Sequence, residues 1–440
     1  VLSQSHSSGF NFSGQNPSGL QLRKQSTEKG SIKVKMRLAS SHAPVRTIFA
    51  SHTANTGYGA ENLLIGLVTH LHASGLVDPI VVIPEEGGPM EDKLRQEGVT
   101  VLRSPLRWWI GNPDQLRDYP FGRSERVEKL ALLMCECGAE VVVSNTSVIR
   151  DAADAARQVG LPHLWYIHEI LSRYTALRTP LSLSDVWTQM AELSNAMVCV
   201  SKAVQMDICQ FAPHVAETCR LEVIHTGIRF KDRGDPIEAR TDLTIITGFS
   251  TENVIVCFVG VLNEHKGVMT LVDCARHVIH DASEIRFAVI GGDGGAETAF
   301  RRSIKEYNLE NKFAILGHRD DVQHLMQGAD IVVVLSRSEA FPLVVQEAMH
   351  LGLPIVAMAS GGVEELIEDG KTGYLFPIGD TRAMSECLVS LANDPKRRQL
   401  MGERGMRRIR SSFSEERYVD LFAQCVVSIA ADTFHKAECP

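Results

Sequence analysis

Long apolar runs are missing from this 440-residue chain: no stretch reaches the roughly 20 residues that a membrane-spanning helix requires. The N-terminal region also lacks the continuous apolar segment of a signal peptide. The expectation is a cytoplasmic protein whose contact with the inner membrane face, if made, is peripheral. Basic charge is in deficit, with 45 Lys and Arg against 53 Asp and Glu for a net charge of −8. That balance argues against general nucleic-acid binding, which relies on a basic surface to neutralise phosphates. No CxxC spacing occurs among the ten cysteines, the nearest pair being Cys135 and Cys137, so thiol redox and zinc motifs are not indicated. Cys199 and Cys257 sit inside apolar runs, where a reduced thiol behaves as a small hydrophobe in a reducing compartment.

What is present is a chain long enough for two cores. Residues 1–43 are rich in Ser, Gln, Gly and Asn and carry six Lys or Arg against Glu28 alone. They read as a disordered basic tail, either docking on anionic lipid or serving as a solvated leader or mis-assigned start. From Thr47 onward short β-branched runs alternate with helical patterns, as in βαβ units. The first series comprises Thr47–Ala50, Ile80–Ile83, Val141–Val143, Leu164–Ile167 and Met197–Val200. The second comprises Val254–Val259, Phe287–Ile290, Ala314–Leu316, Ile331–Leu335 and Pro354–Ala357. Two doubly wound α/β domains are therefore expected, over 44–230 and 253–413. A polar connection over 231–252 would join them, and a C-terminal helical segment over 414–440 would pack back on the first. In such sheets ligands bind beyond the carboxyl ends of the strands.

Strand Ile331–Leu335 runs into the loop Ser336-Arg337-Ser338-Glu339-Ala340-Phe341, and a helix starting near Pro342 carries Glu347. Proline suits a first helical position, and free N–H groups at Leu343 and Val344 would favour phosphate or sugar oxygens. A carboxylate accepts two hydroxyls at once, so Glu339 and Glu347 suit two parts of an extended polyol ligand. Gly260-Val261-Leu262-Asn263-Glu264-His265-Lys266-Gly267 opens a helix after a buried strand, placing an ammonium where a diphosphate would lie. Gly291-Gly292-Asp293-Gly294-Gly295 lacks the third glycine and the acidic ribose ligand of a dinucleotide fingerprint. It reads as a tight turn, either lining a nucleotide or purely structural. In the first half, Asn55-Thr56-Gly57-Tyr58-Gly59-Ala60-Glu61 links the first strand to its helix, and His168-Glu169 ends a strand. Trp108 and Trp109 stand out in a chain with 6% aromatics; they suit an acceptor sugar, a lipid interface or burial beneath the loop.

The order and spacing of Ser338-Glu339-Ala340-Phe341-Pro342-Leu343, Glu347-Ala348-Met349, Gly352-Leu353-Pro354, Gly361-Gly362-Val363-Glu364-Glu365 and Gly370-Lys371-Thr372-Gly373 closely resemble the donor-site signature of glycosyltransferase family 4. The resemblance implies a GT-B fold, with two facing Rossmann-like domains and a C-terminal helix crossing back to the first. It also implies retaining, metal-independent transfer from a nucleotide diphosphate sugar, with no cofactor, to a glycan, lipid-linked or small-molecule acceptor. On this resemblance Glu339 meets the donor sugar, Glu347 the ribose, Lys266 the diphosphate, and His168 the reacting centre. Backbone at Gly57, Gly59, Gly292, Phe341, Pro342 and Leu343 lines the donor, and His318 and Arg319 lie where relatives place the base. Tyr58 interrupts the family's adjacent glycines, and Val223–Ile228 resembles the segment before the domain crossover. The family usually has arginine where this chain has Val261, so either Arg337 or Arg319 substitutes, the leaving group is handled differently, or turnover is slow. Alternative readings are a catalytically silent nucleotide-sugar-binding regulator or scaffold, a sugar-nucleotide epimerase, or a sucrose or sucrose-phosphate synthase.

Overall fold

The computed structural model describes residues 43–437 except 58, 175–176 and 231; the expected N-terminal tail and the Tyr58 interruption lie outside the described residues. The β-branched runs form two parallel sheets. The first contains β1 (Val45–Ser51), β2 (Val77–Ile83), β3 (Thr100–Arg103), β4 (Val141–Asn145), β5 (His163–Ile167), β6 (Ala196–Cys199) and β7 (Arg220–Val223). Its spatial order is β3-β2-β1-β4-β5-β6-β7. The second contains β8 (Val254–Val259), β9 (Ile285–Ile290), β10 (Phe313–Gly317), β11 (Ile331–Val334), β12 (Ile355–Met358) and β13 (Gly373–Phe376), in the order β10-β9-β8-β11-β12-β13. Central strands are buried along their length because helices cover both faces, as in β4 and β12, where every residue is buried.

In each sheet the winding reverses between the first strand and the fourth: β1 pairs with β4, and β8 with β11. Helices diverge to opposite faces there, leaving a crevice at the strand ends where ligands bind in doubly wound folds. The loops from β1 and β5 and those from β8 and β11 therefore hold the positions of chemical interest.

The stretch 231–252 is not the open polar connection that its composition suggests. Pro236–Thr247 is helical, started by the Asp235 side chain on the Ile237 N–H and ended by Gly248 in the left-handed region. Arg240 seats it on the second domain through Asp330, at 2.9 Å, and the Gly328 carbonyl. The C-terminal helix, Glu415–Ala437, packs on the first sheet, with Tyr418 and Tyr166 joined hydroxyl to hydroxyl at 2.7 Å. No helix among the described residues is long and apolar enough to cross a membrane.

Candidate active site

The loop after β8 and the loop after β11 are drawn together at Gly267. Its φ of 74° lies in the left-handed region, and a Cβ there would come within 2.1 Å of the Leu335 carbonyl oxygen. Only glycine allows that approach. The preceding residue, Lys266, is anchored through its N–H to Asn263 Oδ1, and its Nζ reaches Glu339 Oε1 at 2.6 Å. Burial drives the Glu339 carboxyl toward its neutral form, but the Lys266 ammonium outweighs this and holds it below its ordinary value. Burial likewise opposes the charge on Lys266, and Glu339 more than restores it. Both groups are thus ionised at neutral pH.

Glu339 sits in a backbone clasp: its N–H donates to the Ser360 carbonyl and its carbonyl accepts from Gly362 N–H. The helix Leu343–Leu351 follows. Pro342 is its N-cap, with extended ψ of 128°, rather than its first helical residue, and no side chain caps the helix. The first amides therefore remain available to a ligand. Glu347 is half-buried in this helix, and burial alone lifts its carboxyl to about 7. Phe341 contributes no side chain to the crevice: its ring is buried, stacked on His225 at 5.0 Å and against Phe413 at 5.5 Å.

Gly291 to Gly295 form the expected tight turn. A Cβ on Gly291 would meet the Gly260 carbonyl at 1.9 Å, and Asp293 Oδ1 accepts from the N–H groups of Gly295 and Glu297. Gly292 neighbours His318, whose ring is largely exposed. Arg319 is forked onto Asp321, and Arg337 is bonded to Glu264 at 2.8 Å. Val261 lies against Gly294, while Arg319 and Arg337 are each paired with a carboxylate, Asp321 and Glu264.

On the first domain, His168 follows β5 with Nε2 3.1 Å from Asn145 Oδ1 and its ring edge-on to Tyr166. Burial, with the nearby His52 adding to it, pushes its pKa down to about 3, so the imidazole is uncharged. Glu169 Oε2 accepts from the His168 N–H at 3.2 Å. Its carboxylate is turned back onto the Ser147 N–H and hydroxyl, where it braces the β4 loop. Gly57 adopts φ of 110°, and Gly59 opens the helix Gly59–Ser74 with its Cα face 3.8 Å, measured from an ideal Cβ, from Leu343 Cδ1. Two further contacts bring the facing loops together: Tyr174 meets the ring of His265 at 4.9 Å, and Ile170 lies against Gly361.

Asn145, His52 and His265 were not anticipated as site residues. His265 adjoins Lys266 in the quoted motif, whereas Asn145 and His52 carry no local pattern. Of the tryptophans, Trp109 is buried, and Trp108 is half-buried with its Nε1–H on the His52 carbonyl at 2.9 Å. Among the described residues no three His, Cys, Asp or Glu side chains are grouped as metal ligands.

Residues 240–408, which hold the Lys266–Glu339 pair and Glu347, match the family described as Glycosyl transferases group 1. Through its second sheet the chain is thus similar to this family. Over 185 residues it is 28% identical to N-acetyl-alpha-D-glucosaminyl L-malate synthase of Bacillus anthracis, covering 42% of this chain and 48% of that protein. Over 203 residues it is 30% identical to D-inositol 3-phosphate glycosyltransferase of Kribbella flavida, covering 43% and 46%. The chain thus spans about half the length of these relatives. Solved structures extend the likeness in fold to both domains. Anabaena HepE in complex with UDP and glucose superposes with a TM-score of 0.71 at 21% identity, over 88% of this chain and 100% of that one. Sucrose-phosphate synthase of Thermosynechococcus elongatus superposes with 0.68 at 18% identity, over 88% and 99%. The chain therefore has the GT-B fold expected from its motifs.

Proposed function

We propose that this protein is a retaining glycosyltransferase that moves a sugar from a nucleotide diphosphate to an acceptor hydroxyl. The acceptor is a glycan, a lipid-linked glycan or a small molecule. The observation that carries the reading is the ion pair between Lys266 and Glu339 at the second sheet's switch point, beside the uncapped helix Leu343–Leu351. Lys266 and the helix amides stabilise the diphosphate as charge develops on it, the largest electrostatic demand of the reaction. Glu339 accepts hydroxyls of the donor sugar, and Glu347 accepts those of the ribose. Uncharged His168 hydrogen-bonds the sugar or the departing phosphate. The departing phosphate takes the acceptor proton, and attack from the same face retains the anomeric configuration. Domain closure excludes water from this step.

UDP is the first nucleotide to test, because UDP is bound in the HepE structure. Thermal stabilisation by a panel of nucleotide sugars, with Lys266→Ala and Glu347→Gln alongside, tests the site, since a ligand of the folded state raises apparent stability. Failure of every nucleotide sugar to stabilise the protein would overturn the proposal. Product NMR showing inverted configuration would overturn retention alone.

Val261 favours a second reading, a catalytically silent nucleotide-sugar-binding protein. Donor binding by calorimetry with neither transfer nor slow donor hydrolysis would select it.

A further inference from the structure

One carboxylate joins the two domains at three points. Glu365 follows β12 of the second domain, yet its Oε2 accepts from the Lys202 N–H at 3.0 Å and its Oε1 from the Ala203 N–H at 2.9 Å. Those amides are the first two of the helix Lys202–Phe211, which follows β6 of the first domain. The same Oε2 lies 2.6 Å from His225 Nε2, in the segment that leaves β7 for the crossover. Finally, the Glu365 carbonyl accepts from Arg408, whose guanidinium also holds the Leu366 carbonyl.

The surroundings are those of a pivot. His225 lies between Phe341, stacked at 5.0 Å, and Phe413, edge-on at 5.4 Å. The two crossing segments touch nearby, where a Cβ on Gly227 would fall 2.5 Å from the Ser414 carbonyl oxygen. Three residues before Glu365, Gly362 donates to the carbonyl of Glu339 at 2.8 Å. The chain that carries the interdomain carboxylate is therefore the chain that clasps the donor-side glutamate. A helix N-terminus attracts a carboxylate through its free amides and its positive dipole end, and here the carboxylate comes from the opposite domain.

We propose that Glu365 is a positioning residue: it sets the register of the two domains, so that the Lys266–Glu339 pair faces the His168 end of the first sheet only while Glu365 caps the helix Lys202–Phe211. It touches no donor or acceptor and acts through the clasp at Glu339. The kinetic arm of the test rests on the glycosyltransferase reading; the scattering arm does not.

The full-length chain is compared with Glu365→Ala and Lys202→Pro by small-angle scattering, by UDP calorimetry and by turnover of UDP-glucose. Lys202→Pro removes one capping amide without touching the second domain, and proline is tolerated in a first helical turn. Ser201 is already extended, with φ −156° and ψ 164°, as a residue before proline must be. Both variants are expected to scatter as a more open particle and to bind UDP as the parent does. Turnover is expected to fall about 100-fold, the cost of a misplacement near 1 Å between reacting groups. Scattering identical to the parent in both variants overturns the proposal. So does loss of UDP binding in step with turnover, which would make Glu365 a prop of the donor pocket alone. If the parent turns over no nucleotide sugar, the glycosyltransferase reading fails while scattering still decides the register.

Discussion

Lys266 Nζ lies 2.6 Å from Glu339 Oε1, although 73 positions separate the two residues in the chain. The pair is made by topology: β8 and β11 are adjacent in the sheet, and the glycine after the lysine admits the Leu335 carbonyl. Each charge satisfies the other. A bound diphosphate and sugar would redistribute both sets of hydrogen bonds without changing either charge.

Removing the ammonium should separate chemistry from folding. Lys266→Ala is expected to lower turnover by about 100-fold or more, on the order of 3 kcal/mol of barrier. Initial rates with saturating UDP-glucose check this. An unchanged rate would remove Lys266 from the reaction.

The acid limb of stability should report Glu339. Its folded pKa is below the ordinary value of 4.5, so its contribution is present above pH 4.5 and is lost as pH falls through the folded value. Chemical denaturation from pH 7 to pH 3 should show a shallower loss for Glu339→Gln than for the parent.

Glu347 should do the reverse. Its folded pKa of about 7 lies above 4.5, so its stabilising share is full below pH 4.5 and is lost as pH rises through about 7. Glu347→Gln is expected to be more stable than the parent at pH 8, by on the order of 1–3 kcal/mol, and no more stable at pH 4. UDP affinity of the parent, measured from pH 6 to 8, should gain a component that Glu347→Gln lacks, because only the ionised carboxylate accepts both ribose hydroxyls.

Gly267→Ala tests the approach of the two loops. With φ at 74° and the Leu335 oxygen 2.1 Å from the new Cβ, the variant is expected to lose about 1–3 kcal/mol of stability. It should also weaken UDP binding, because Lys266 is displaced with it. Thermal unfolding with and without UDP measures both effects.

Val261→Arg decides between the active and silent readings. A guanidinium at that position would share the leaving group's charge, and turnover is expected to rise by up to about 100-fold. UDP binding in parent and variant, with turnover in neither, would favour the silent protein.

Which strands could be foreseen follows from burial. All ten runs singled out from their β-branched residues are strands, and the interior strands among them, such as β4 and β12, are buried along their whole length. The strands that escaped notice, β3, β7 and β13, all lie at sheet edges, where one side is solvated and the apolar signal is broken; β7 has no fully buried residue. The helix Pro236–Thr247 was hidden for a related reason: Ile237 and Ile245 are exposed, so its apolar residues mark no single inward face.

The backbone settings of three candidate site residues were legible because they are local. Glu339, Glu347 and Lys266 occur in short motifs whose glycines and proline dictate a strand end, a turn and a helix start, and such geometry depends on neighbours within a few positions. Glu169 adjoins His168 and, as a buried carboxylate, gathers the donors within reach, both at the His168 N–H and at Ser147 on another strand's loop. Asn145 beside His168, and Glu365 against Lys202 and His225, join residues from separate strands or separate domains. Short-range patterning selects each backbone segment, since steric and hydrogen-bonding preferences act over a turn or a pleat. Which side chains then share a charge or an amide is settled when the sheets close on one another, because desolvated polar groups must find partners wherever the fold has carried them.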